Sequence, residues 1–169
     1  MKSKRKLLPR AVLGAILLAL PAAADAPRNP PQYAQFLSDS PTIKDNFTFL
    51  EWDRKSILTG LGSKSSYANG ATLCKTVPSF LATPPKTGGR LPTIKELLTL
   101  LDEQPHLEYE FGANVTKMID QQAFDRTPVD VPYWSSSPAE GGQFWTLDFS
   151  TGAMVAMSPA GPANVRCVR

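Results

Sequence analysis

The residues that could do chemistry are few and scattered. His106 is the only histidine, so no multi-histidine metal site can form within one chain. Set beside Pro105, it reads as a surface loop residue. Glu108 and Glu110 lie two apart in a polar stretch and read as a solvated acidic patch. Asp148 falls in the aromatic run FWTLDF, out of phase with Trp145 and Phe149. A partly buried carboxylate needs a partner, and the expected one is Arg90, in a structural pair. Gly60-Leu61-Gly62 lacks the third glycine and the helix of a phosphate-binding loop. Tyr133-Trp134-Ser135-Ser136-Ser137 sets aromatics beside a row of hydroxyls, the kind of surface that stacks on a sugar ring and hydrogen-bonds its hydroxyls. Strand alternation puts Tyr133, Ser135 and Ser137 on one face and Trp134 with Ser136 on the other. Tyr133, Ser135 and Ser137 are therefore the candidate ligand-binding residues, and Trp134 is assigned to the core. None of these residues implies a catalytic group, a cofactor or a bound metal.

These side chains need elements to position them. Residues 88–103, GGRLPTIKELLTLLDE, carry Leu91, Ile94, Leu97, Leu98 and Leu101 at steps of three and four, one apolar helix face. Thr93 and Glu96 fit a capping box, in which the Thr hydroxyl accepts from the Glu96 N–H and the Glu side chain reaches back to Thr93. Pro92 before the cap biases the chain away from helix. Helix initiation leaves Arg90 and the glycine pair unexplained. Tyr67, Ala71 and Cys74 share a helical stripe, which predicts a short helix over 66–77, weakened by Gly70. Residues 46–54 read as a strand, 103–115 as loop, and 116–130 as holding one helical turn. The last forty residues change period: YWSSSP, FWTLDFS, AMVAMSP and NVRCVR are short β-prone runs, with Ser150-Thr151-Gly152 as a hairpin turn.

The chain's excess of cations belongs to its first 24 residues. They hold five of the 18 Lys and Arg and none of the 15 Asp and Glu, so the remainder carries a net −2. The cationic start, the apolar AVLGAILLAL and the small-residue PAAADA together form a secretory signal peptide, with cleavage expected after Ala24. Without that segment no basic footprint for nucleic acid remains, and no membrane span is expected in the mature chain. Residues 25–45, with four prolines, read as a linker or loosely docked arm. Residues 46–169 form the domain. An even pair of cysteines in an exported chain reads as a disulfide, so Cys74 and Cys167 are expected to join the first helix to the last strand.

GGRLPTIKELLTLLD, then IDQQAF, YWSSSP, FWTLDFSTG and a closing VRCVR appear in an order that resembles the bacterial Lcl C-terminal-domain-like family. That family is named for the C-terminal domain of a collagen-like adhesin that binds glycosaminoglycans. The resemblance covers about 47–169, with Arg90, Leu91, Pro92, Thr93, Glu96, Trp134, Trp145 and Asp148 in its structural motifs. No collagen-like Gly-X-Y tract is present. RLPT followed by a helix is also similar to the formylglycine-generating family. Its C-type-lectin-like fold implies an α+β architecture, two helices packed on a small twisted antiparallel sheet. Its oxidase chemistry is not implied, because the cysteines here are expected in one disulfide. The reading is an exported, lectin-like, non-catalytic module for a carbohydrate or other envelope polymer, periplasmic or extracellular. The alternatives are a protein-binding domain of an envelope assembly, or a hydrolase or oxidase with an unrecognised site. Oligomeric state is left open.

Overall fold

The computed structural model describes residues 32–33, 40–54, 64–76, 88–110, 112–124 and 127–169. The signal peptide read at 1–24 and the glycines at 60 and 62 lie outside them. Strand β1 (Thr42–Lys44) pairs antiparallel with β2 (Glu51–Asp53). Helix α1 (Tyr67–Thr76) and the five-residue α2 (Ile94–Leu98) follow. Strands β3 (Leu101–Glu110) and β4 (Ala113–Ile119) form a hairpin. Strands β5 (Tyr133–Pro138), β6 (Phe144–Leu147) and β7 (Met154–Met157) form an antiparallel sheet in the order β5-β6-β7. Among the described residues no helix is long and apolar enough to cross a membrane.

This corrects the expected α+β, C-type-lectin-like picture of two helices on one sheet. Among the described residues the fold is mostly β, built from three small antiparallel sheets with one helix of any length. The leucine-rich run does start a helix, but the helix ends at Leu98. Thr99 closes it, its N–H and hydroxyl both reaching the Glu96 carbonyl. Continuing would have put Asp102 and Glu103 at the negative end of the helix dipole. Instead Asp102 opens an irregular register between Leu101 and His106, its carboxylate accepting from the Gln104 N–H.

Within residues 103–115, expected as loop, 103–110 and 113–115 are strand in this hairpin. Pro105 falls within the irregular register, where a missing N–H is tolerated. The helical turn expected in 116–130 is present only at 120–124, where the Phe124 N–H reaches the Asp120 carbonyl. β1 lies within the residues read as an arm, so pairing begins before Asn46.

The element that ties the sheets together is the extended segment 163–169, expected as a docked last strand. It makes isolated bridges rather than a ladder: Ala163 with Ser65, Asn164 with Tyr133, and Val168 with both Trp52 and Arg90. Its side chains alternate between two cores. Ala163, Val165 and Cys167 pack with Cys74, Leu91 and Trp134. Val168 packs with Trp52, Leu97, Phe124, Tyr133, Leu147 and Phe149. Residues 163–168 are all buried. Helix α1 reaches this segment through Gly70, where a Cβ would stand 2.9 Å from Val165 Cγ2. The glycine that lowers helix propensity is thus the residue that permits the packing. Cys74 on α1 is bonded to Cys167, with Cα atoms 5.4 Å apart, as expected.

Candidate functional site

The RLPT stretch resolves into scaffold. Thr93 Oγ1 accepts from the Glu96 N–H at 3.2 Å, and Glu96 Oε2 accepts from the Thr93 N–H at 2.7 Å, the expected capping box. Arg90 then closes on the same carboxylate with two bonds, at 2.7 and 2.6 Å. Its expected partner, Asp148, is occupied elsewhere. Asp148 accepts from both the N–H and the hydroxyl of Ser150 and shapes the β6–β7 turn. Sequence phase identified a carboxylate needing partners, but a short-range hydroxyl satisfies it without a cross-domain ion pair. Leu91 and Pro92 are buried, and the Pro92 carbonyl accepts from Ser136. Gly89 is explained by closeness: a Cβ there would lie 2.8 Å from the Cys74 carbonyl oxygen.

The Arg90 guanidinium, followed by the Thr93 N–H, holds the Glu96 carboxyl below its ordinary value of 4.5, against a smaller opposing effect of burial. A lowered pKa in the fold means a contribution to stability that is complete above the unfolded value and lost as pH falls. Thermal melts from about pH 6 to pH 3 should show Glu96→Gln removing part of the acid sensitivity, while Thr93→Ala costs about 1 kcal/mol at any pH. An unchanged acid limb in Glu96→Gln would contradict this assignment.

The side chains of the YWSSS row, read from sequence as a candidate ligand surface, make internal bonds. Tyr133, Trp134 and Ser135 are fully buried. The Tyr133 hydroxyl donates to the Pro128 carbonyl, Trp134 Nε1 to the Ser65 carbonyl, and Ser135 Oγ to the Trp145 carbonyl. Ser137 Oγ accepts from the Ile94 N–H, a second clasp on the start of α2. Trp145 is half-buried on β6 opposite Ala156. The strand twists out of simple alternation: its register with β6 shifts between Trp134 and Pro138.

A buried cationic centre lies beneath. Arg166 is fully buried. It donates to the carbonyls of Asp53 and Arg54 and to the Thr127 hydroxyl. Its guanidinium carbon sits 4.7 Å from the Phe124 ring centre and 5.5 Å from that of Tyr133. Arg169 meets the Asp53 carboxylate at 2.6 Å. Burial still pushes the Asp53 carboxyl above the ordinary range, outweighing the two arginines. These groups hold the last segment to β2 and are closed to a ligand.

The surface feature that sequence reasoning missed is the turn between β1 and β2. Asp45 builds it: its carboxylate accepts from the N–H groups of Phe47 and Thr48, its N–H donates to the Leu50 carbonyl, and its carbonyl accepts from Phe49. Asn46 donates to the Gln32 carbonyl, and Gln32 Nε2 reaches the Thr99 carbonyl, so the turn is anchored beside the end of α2. The turn presents Phe47, 57% exposed, and Phe49, 74% exposed. Phe49 has φ +60°, a left-handed backbone that no other described non-glycine residue adopts. Lys44 Nζ lies 5.7 Å from its ring centre. NFTFLEW reads as strand by composition. The available turn signal was the Asp45-Asn46 pair ahead of it. Chemically the turn offers two fixed apolar ring faces with an ammonium beside one of them.

Residues 41–169 match the profile of the Lcl C-terminal domain. No curated protein matches the chain.

Proposed function

The chain belongs to the Lcl C-terminal domain family, and from that premise we propose that it is an exported, non-catalytic module that binds a carbohydrate polymer through the β1–β2 turn. The observation that carries this reading is Phe49. A left-handed backbone costs a bulky residue about 1–2 kcal/mol, and a ring that remains 74% exposed gains little burial in return. Strain held on a rigid turn under an exposed ring is a device for presenting that ring. Phe47 and Lys44 complete a platform on which the apolar face of a sugar can stack while its hydroxyls meet the ammonium. The Arg90, Glu96, Asp148, Ser135 and Ser137 side chains all serve internal bonds, which favours binding over catalysis. The disulfide favours a compartment outside the cytoplasm.

A screen of glycans and envelope polysaccharides against the exported protein tests the proposal. Phe47→Ala and Phe49→Gly should each weaken binding about tenfold. Phe49→Gly relieves the left-handed strain at a glycine entropy cost of about 0.5–1 kcal/mol. Stability should therefore hold or rise slightly while binding falls. A polymer bound equally well by both variants, or no polymer bound at all, would remove the platform from the account.

A further inference from the structure

We propose that the outer edge of β7 pairs with the same edge of a second copy of this chain, joining two three-stranded sheets into one of six strands. β7 is the last strand of its sheet, and no described strand lies beyond it. Met154 and Val155 are 50% and 42% exposed there.

The ladder fixes which backbone groups point outward. The Asp148 N–H donates to the Ala153 carbonyl, and the Val155 carbonyl accepts from Thr146 Oγ1 at 2.8 Å, so both carbonyls face β6. By antiparallel alternation, the N–H and C=O groups of Met154 and Ala156 point away from the sheet. That pattern is symmetric about Val155. A two-fold axis there sets Met154 against Ala156 of the other copy and Ala156 against its Met154. Four inter-strand hydrogen bonds result, and the two Val155 residues meet as a close non-hydrogen-bonded pair. β-branched pairs suit that position.

The charge pattern favours a copy of the same chain as occupant. Residues 149–165 contain no Asp, Glu, Lys, Arg or His. Exposed edges are usually guarded by charge, often lysine. An edge without charge meets its own copy with no repulsion and gains nothing from a charged partner. Pro159 limits the pairing to the strand itself, so the dimer is expected to be weak and concentration-dependent.

Sedimentation of the disulfide-intact protein over a wide concentration range should show reversible dimer. Val155→Lys, which brings two ammonium groups together at the axis, should weaken it by at least about tenfold with an unchanged circular dichroism spectrum. In mild oxidant, Val155→Cys should form a linked dimer faster than Met154→Cys, because the two-fold pair lies at disulfide range. A wild-type monomer at every concentration, a dimer indifferent to Val155→Lys, or equal cross-linking at both positions would overturn the proposal.

Discussion

Replacing Cys74 and Cys167 together with alanine is expected to cost about 4 kcal/mol of stability and lower the thermal midpoint by roughly 15 °C. The bond closes a separation of 93 residues, so its loss frees a large loop in the unfolded chain. The site also determines the size of the effect. Cys74 and Cys167 are fully buried in the core cluster that holds Trp134 and Val165. Two small cavities therefore open between α1 and segment 163–169 at the same time. Denaturant unfolding of the double variant and of reduced wild type should agree in direction, with a larger loss in the variant. A change under about 1 kcal/mol would mean that α1 stays docked without the link.

Arg166→Ala is expected to cost about 3–5 kcal/mol, comparable to the disulfide. The guanidinium satisfies the carbonyls of Asp53 and Arg54 and the Thr127 hydroxyl, all within the fold. Truncation withdraws the guanidinium from those acceptors in a closed core and removes the cation from between Phe124 and Tyr133. Arg166→Lys should recover less than half of the loss, since an ammonium cannot span three acceptors in the same fork. Chemical denaturation midpoints measure both changes. Equal stability of the lysine variant and wild type would show that charge, not geometry, is what the site uses.

What the sequence revealed followed the range of the interaction. The capping box of Thr93 and Glu96 is a three-residue pattern with one geometry, and it was legible. So was α1, and so was the disulfide, which an even pair of cysteines and the expectation of export suffice to imply. The hairpin at Ser150-Thr151-Gly152 was legible because local turn chemistry defines it. The β3–β4 hairpin was not, because Pro105 argues against a strand and only the irregular register around it makes room. Alternation predicts direction, not burial, so the sequence could not reveal that Tyr133 and Ser135 are buried. Arg90 was matched to the wrong carboxylate: Glu96, six residues on, meets it at the helix start. The aromatic turn was illegible for a different reason. Nothing in NFTFLE announces a left-handed phenylalanine, which sits in a turn built around the Asp45 bonds.

Segment 163–169 has a consequence for the order in which the molecule can come into being. Every element it bridges precedes it in the chain, and the Arg169–Asp53 contact spans 116 residues. As the polypeptide is synthesised, β1 and β2, α1 and the RLPT stretch all emerge before the segment that bridges or packs against them. Their contacts with that segment form only once it is available, and contacts of such separation are slow to form. The architecture therefore completes the packing of these elements only when the segment is available, and then locks α1 to it with a covalent bond that needs an oxidant but, with only two cysteines, no reshuffling.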